Sequence, residues 1–328
     1  MSSPIWRVYA RTLALPARQR HPTLLMTYSI VALDRDTGEL GVAVQSRWLA
    51  SGAIVAWARP RVGAVATQSF VDARYGYSGL DLLAAGRTPE AALAELVAAD
   101  ADPGVRQVAM IDATGRAAAH TGSDCVAAAG HLTIHGVSVQ ANMMERMTVW
   151  PAMLEAYRRA DGDLADRLLA ALRAAESEGG DVRGRQSAGL LVVPGTPDAK
   201  PWDVRFDVRV DDHRDPLGEL DRLLSVSRAY EALDEALEAL AVGEVTAAAA
   251  FAERAATLAP EDDQIRLWQA ITVFDAGDEA RGRSLYQSAR VVEPRAGEHL
   301  RRFAAAGQLP GREGLVTRLI AEADSRSG

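Results

Sequence analysis

A chain of 328 residues is long enough for two domains, and 48% hydrophobic but only 5% aromatic residues imply cores built from Ala, Val and Leu. A net charge of −8 argues against the basic face of a nucleic-acid binder, and no apolar run reaches the roughly 18 residues of a membrane-spanning helix. The single cysteine, Cys125, excludes an intramolecular disulfide and suits a reducing, cytoplasmic setting.

Residues 1–25 carry Arg7, Arg11, Arg18 and Arg20 and no acid. Their apolar patch Leu13-Ala14-Leu15 stops at Pro16, too short for a secretory signal. The segment 1–26 is therefore expected to be a disordered leader, either a start codon read too early or a short propeptide. Met26-Thr27 stands immediately before the strand-like run Tyr28–Leu33. A threonine that opens a buried strand is a nucleophile when its α-amine is free, because the amine takes the hydroxyl proton. The plainer alternative is a β-branched residue starting a strand.

Residues 28–33 and 40–46 read as a hairpin around Asp34-Arg35-Asp36-Thr37-Gly38, and Ala53–Ala58 with Val62–Gln68 as a second. Helix signals follow. Leu80, Leu82 and Leu83 lead to a stop at Gly86, and Thr88-Pro89 caps a helix over Ala91–Ala99. Val105–Asp112 and Arg116–Thr121 form a third hairpin, and Val137–Asn142 is a short strand. Amphipathic helices span Val149–Arg159 and Leu164–Glu178, the latter ending at Gly179-Gly180. Strands return at Gln186–Val193 and Val204–Val210. This order predicts an α+β domain over 27–212, with helices covering antiparallel sheets.

From residue 213 the composition turns to Ala, Glu, Leu and Arg. Gly243, Gly277 and Gly311 lie 34 residues apart, as do Pro260 and Pro294. Ala236 aligns with Ala270, Phe251 with Leu285 and Ala255 with Ala289. A helix-turn-helix period of this length resembles the tetratricopeptide (TPR) repeat and predicts an all-α, TPR-like domain over 213–328, able to bind a protein partner. An irregular helical bundle is the alternative.

The first domain also carries an ordered set of motifs. They are Thr27-Tyr28-Ser29-Ile30-Val31-Ala32, Gly38-Glu39-Leu40-Gly41-Val42-Ala43-Val44-Gln45-Ser46, Gly63-Ala64-Val65-Ala66-Thr67-Gln68, Arg74-Tyr75-Gly76 and Gly79-Leu80. Ala119-His120-Thr121-Gly122, Gln140-Ala141-Asn142 and the stretch from Gly179 to Ala188 complete it. On these residues the chain, from Thr27 to about Pro194, resembles the DUF1028 family, a group placed among the N-terminal nucleophile (Ntn) hydrolase-like proteins. The resemblance implies a four-layer α-β-β-α sandwich and, less firmly, hydrolysis of a small-molecule amide with no cofactor and no metal.

In Ntn hydrolases the nucleophile begins a central strand facing a cleft, so the remaining candidates follow by position. Asn142 is the expected oxyanion donor, and Gln140 shares its strand face by period two. Ser46, Arg47, Thr67, Gln68, Arg74, Tyr75, Asp181, Arg183 and Gln186 are candidate substrate-binding residues. Arg47 suits a substrate carboxylate or keeps the threonine amine neutral. His120, His131 and His135 lack the carboxylates a metal centre would add and are read as structural. A non-catalytic, ligand-binding shell is the competing reading, and a homo-oligomer is compatible with either.

Overall fold

The computed structural model describes residues 24–25 and 27–324. They divide into two compact units, 1–220 and 221–328. The expected leader lies outside the described residues except for Leu24–Leu25. Those two are not free coil: they form strand β1, antiparallel to Phe70 and Ser69.

The first unit contains two antiparallel sheets. One has β4 (Ala56–Arg59), β5 (Gly63–Phe70), β6 (Arg106–Asp112) and β7 (Ala117–Thr121), with β1 and β4 both pairing β5. The other runs β11-β10-β3-β2-β9-β8, with β2 (Thr27–Leu33) and β3 (Leu40–Ser46) at its centre. Its flanking strands are β8 (Gly130–Ile134), β9 (Val137–Ala141), β10 (Ser187–Val193) and β11 (Phe206–Val210). Strands β2 and β3 are buried at every position. That is why they read as apolar runs rather than alternating ones: both faces are covered.

The inner faces meet through Val31, Leu33, Leu40, Val42 and Val44 on one side and Ala64, Ala66, Ala109 and Ile111 on the other. Small alanines opposite branched side chains let the sheets interdigitate. Helix α1 (Gly52–Val55) is a single turn. Helices α2 (Arg74–Ala84) and α3 (Pro89–Ala99) lie against the outer face of the β5 sheet, through Tyr75, Leu80, Leu83 and Leu93. Helix α4 (Val149–Arg159) packs on β8 and β9, and α5 (Leu164–Ser177) on β2, β3 and β10. Gly41 sits so close under α5 that an added Cβ would lie 2.6 Å from Leu168 Cδ1.

Several expected elements form as read. Thr88 Oγ1 accepts from Ala91 N at the start of α3, and Gly179 and Gly180 take positive φ at the end of α5. The second hairpin needs correction. Residues 52–55 are helical, not strand, because the turn crosses β10 at Gly189, where glycine meets glycine (a Cβ on Gly52 would lie 3.0 Å from Gly189 Cα).

The second unit is helical. It contains the remainder of α6 (Pro216–Ala241), α7 (Val245–Leu258), α8 (Asp263–Asp275), α9 (Glu279–Val292), α10 (Ala296–Ala305) and α11 (Glu313–Asp324). Gly243, Gly277 and Gly311 all have positive φ between successive helices. The aligned residues Ala236, Ala270, Ala255 and Ala289 are all buried, so the repeat positions are contact positions.

Gly63 gives a direct check on the sheet packing. A Cβ there would lie 2.4 Å from the Ile111 carbonyl oxygen, a backbone atom that cannot swing aside. Gly63→Ala is expected to lower unfolding free energy by about 1–3 kcal/mol in urea titration. Unchanged stability would contradict this register of β5 on β6.

Candidate functional site

One end of the inter-sheet layer is not apolar. Side chains of paired residues share a face, so the register lines up Ser187, Ser46 and Thr27 across β10, β3 and β2. Asn142, one residue beyond β9, continues that row and donates its backbone N–H to the Thr27 carbonyl at 3.1 Å. The next row holds Ser29, Gln140 and His131. From the facing sheet, Gln68 and its partner Gln107 point back at them. Farther along the same strands the inward positions become Val31, Val42 and Val44, so the polarity changes within two residues along each strand.

These side chains bond to one another. Thr27 Oγ1 donates to Ser46 Oγ at 3.0 Å. Gln68 Nε2 donates to the Thr27 carbonyl at 3.0 Å and to Gln107 Oε1 at 2.7 Å. Ser29 Oγ donates to Gln68 Oε1, and Gln140 Nε2 to Ser29 Oγ, each at 2.6 Å. Asn142 Nδ2 donates to Gln107 Oε1 at 2.8 Å, while Asn142 Oδ1 has no partner among the described residues. Thr27, Ser29, Ser46, Gln68, Gln107, Gln140 and Asn142 are all completely buried. The cluster is neutral, which is how so many polar groups are kept out of water without the cost of a buried charge.

Beyond the ends of β3 and β10 the chemistry changes. Asp181, its carboxylate wholly buried, accepts from Arg183 Nε at 3.0 Å and Nη2 at 2.7 Å, and from the backbone N–H of Arg47 at 3.3 Å. Gln186 donates its backbone N–H to the Ser46 carbonyl at 3.1 Å and its side-chain amide to Asp212 at 3.0 Å. Arg47, Arg183, Arg185, Asp212, His213 and Arg214 line a cleft of about 750 Å³. Thr27 is not among its lining residues.

The candidates thus separate into three groups. Thr27, Ser46, Gln68, Gln140 and Asn142 come together in the buried cluster. Arg47, Asp181, Arg183 and Gln186 come together at the cleft. Thr67, Arg74 and Tyr75 join neither. Thr67 is on the opposite face of β5 from Gln68, where its hydroxyl donates to the Asp72 carbonyl at 3.4 Å. Arg74 is held by Asp72 at 2.6 Å, and Tyr75 is a core residue on the buried face of α2 whose hydroxyl donates to Asp100 at 3.0 Å. Burial and Asp100 raise the Tyr75 pKa. The glycine of that motif, Gly76, makes room for the Trp57 ring, so the motif serves packing.

Sequence reasoning missed Ser29, Gln107, Arg185, His213 and Arg214. Gln107 had a signal: it is the lone amide on the strand face that continues through Ala109 and Ile111. The histidines are occupied: His131 Nδ1 meets Thr121 Oγ1 at 2.8 Å, His120 Nε2 the Pro103 carbonyl at 2.9 Å, and His135 Nδ1 the Gly115 carbonyl at 2.6 Å. Burial lowers the pKa of His131, with His120 contributing.

Fold and site together define an α+β protein in which two antiparallel sheets enclose a polar cluster led by a threonine. The chain belongs to the DUF1028 family, described as a family of unknown function, whose model matches residues 27–220. It is similar to the crystal structure of protein SPO2555 from Silicibacter pomeroyi, of the same family, with 34% identity and a TM-score of 0.55. That match covers 61% of this chain and 88% of the other. No curated protein matches.

Gln107 is the hub of the cluster, accepting from Gln68 and Asn142 and donating to the carbonyl of Ala141 at 2.9 Å. Gln107→Leu strands those groups without changing the volume greatly. The expected loss is about 2–4 kcal/mol of unfolding free energy, from two or more buried polar atoms left unpaired. A variant as stable as the parent in urea would mean the network contributes no net stability.

Proposed function

We propose that this protein is an Ntn-type amidohydrolase acting on a small-molecule amide, with Thr27 as nucleophile and no cofactor or metal. The order of helix, sheet, sheet and helix suits the Ntn sandwich. The observation that carries the reading is the inward face of β2. Its first residue bears a hydroxyl that bonds Ser46, and the amides of Gln68, Gln107 and Asn142, from β5, β6 and the end of β9, form a bonded chain that reaches the carbonyl of the same residue, where the rest of the layer is aliphatic.

The chemistry requires release of residues through Met26. The freed Thr27 amine then accepts the Oγ1 proton as Oγ1 attacks the substrate carbonyl carbon. The tetrahedral oxyanion takes a hydrogen bond from Asn142 Nδ2, exchanged from Gln107. The leaving nitrogen receives the proton from the Thr27 amine, and water cleaves the resulting ester. Asn142 Oδ1, buried and unpaired among the described residues, is an acceptor suited to an N–H of that amine. Release also removes β1 from its pairing with Ser69 and Phe70 of β5, while Thr27 itself is fully buried in the intact chain.

Two residues next to the cluster, Ser69 after Gln68 and Met143 after Asn142, hold positive φ of 65° and 58°. Non-glycine residues in this region cost about 1–3 kcal/mol each, a strain that concentrates at functional sites.

Full burial of Thr27 favours one other reading, a non-catalytic shell that binds its ligand at the arginine-lined cleft. In either reading the helical repeats, TPR-like in their 34-residue spacing, serve to recruit a protein partner.

A β-lactone probe with intact-mass and peptide mapping separates the two. Hydrolase chemistry predicts one acyl group on Thr27 of protein beginning at that residue, and none on Thr27→Ala. Unmodified Thr27 in protein with a free Thr27 amine contradicts it. Once a substrate is in hand, Asn142→Ala is expected to lower kcat by about 10²–10³-fold with little change in KM. A rise in KM alone would make Asn142 a binding residue instead.

A further inference from the structure

Charge is distributed unevenly in this protein. The chain carries a net −8, yet the residues lining the cleft beyond β3 and β10 include four arginines, Arg47, Arg183, Arg185 and Arg214, and one acid, Asp212. Elsewhere arginines commonly meet an acid closely, as in Arg106–Asp100 at 2.8 Å, Arg205–Glu39 at 2.9 Å and Arg312–Asp275 at 2.7 Å. In the cleft, Arg183 is neutralised by Asp181. Arg185 is held only loosely, 3.6 Å from Glu176 and 3.5 Å from Asp215. Arg47 and Arg214 are exposed, and their guanidinium groups have no hydrogen-bonding or ionic partner among the described residues.

The surroundings of these groups are fixed. A wholly buried carboxylate, Asp181, holds both the Arg183 fork and the Arg47 backbone. Tyr28 donates to Glu176 at 2.6 Å from beneath and so anchors the acid that faces Arg185. Gln186 fixes Asp212 through its side chain, and its carbonyl accepts the His213 backbone N–H at 2.8 Å. His213 Nδ1 is engaged by the Asp215 backbone. The walls are thus tied to the sheet, while two guanidinium groups are left over. That arrangement is built for an anion whose charge the protein does not itself supply, and guanidinium forks match planar carboxylate and tetrahedral phosphate edges in pairs. The volume, about 750 Å³, lies within the range of small-ligand sites, about 300–1,000 Å³.

We propose that this cleft binds a small molecule carrying at least two oxyanion groups, with Arg47 and Arg214 as its principal ligands and the loosely paired Arg185 beside them. Binding at the cleft does not depend on Thr27 chemistry. The consequence for substrate class does rest on the hydrolase reading: since Ser46 faces Thr27 and the next residue, Arg47, leads into the cleft, the substrate would be an amide with an anionic tail.

Isothermal titration of the full chain with citrate and, separately, with pyrophosphate tests the site. The expected result is saturable binding of at least one of them, weakened about tenfold or more by Arg47→Ala and by Arg214→Ala and reduced by added salt. Binding of citrate alone assigns carboxylates as the ligand groups, and binding of pyrophosphate alone assigns phosphates. Absence of saturable binding of both, or binding that neither substitution weakens, overturns the proposal. Both arginines are exposed, so the variants should fold, which circular dichroism checks. Thr27→Ala should bind the anion as the parent does. Failure of anion binding therefore counts against the cleft alone, and failure of Thr27 acylation against the hydrolase alone.

Discussion

The constraint on which the first unit depends is the satisfaction of buried amides between its two sheets. Six of the side chains around Thr27 are fully buried and neutral, and each has polar atoms that water can no longer reach (Ser29, Ser46, Gln68, Gln107, Gln140 and Asn142). Leaving one such atom unpaired costs about 1–3 kcal/mol, so the cluster holds only if both sheets keep their register. Gln68 and Gln107 bridge from one sheet to the other, to the Thr27 carbonyl and from the Asn142 amide. A slip of one residue would turn both outward, and the strand pairing is thereby tied to the position of the threonine.

The polar end and the charged cleft obey different electrostatic rules. Between the sheets, where a charge would be heavily penalised, the sequence uses hydroxyls and amides. At the solvent-facing ends of β3 and β10 it uses arginines, and there a single buried acid, Asp181, is offset by the Arg183 fork. The change takes place between adjacent residues, from Ser46, pointing inward, to Arg47, pointing out. Gln45, on the helix-covered side of β3, resembles Asn142 Oδ1 in this: both atoms of its buried amide are without a partner among the described residues.

Much of this was legible in the sequence, and what was not has physical reasons. The hairpin of β2 and β3, helices α3 to α5 and the 34-residue recurrence of Gly243, Gly277 and Gly311 follow from turn residues, caps and spacing. Which face of β5 looks inward does not, because Val65 and Ala66 are both buried apolar residues. Period two separates Thr67 from Gln68, but only the opposite sheet says which of them is useful. Arg74-Tyr75-Gly76 looks like a site motif because its tyrosine and glycine are constrained, and the constraint is Trp57 and Asp100. The cleft was legible only in part: Arg47 and Arg183 stood out, whereas Arg214 is brought to them by the return of β11 beside β10.

The account turns on whether Thr27 presents a free amine to its own hydroxyl. N-terminal sequencing of the mature protein, isolated from cells that express it naturally and together with its intact mass, measures this directly. The account predicts a first residue of Thr27 and a mass lacking everything upstream. Mature protein that retains Met26 would contradict it, because an amide nitrogen cannot accept the hydroxyl proton and the buried cluster would then be structure alone.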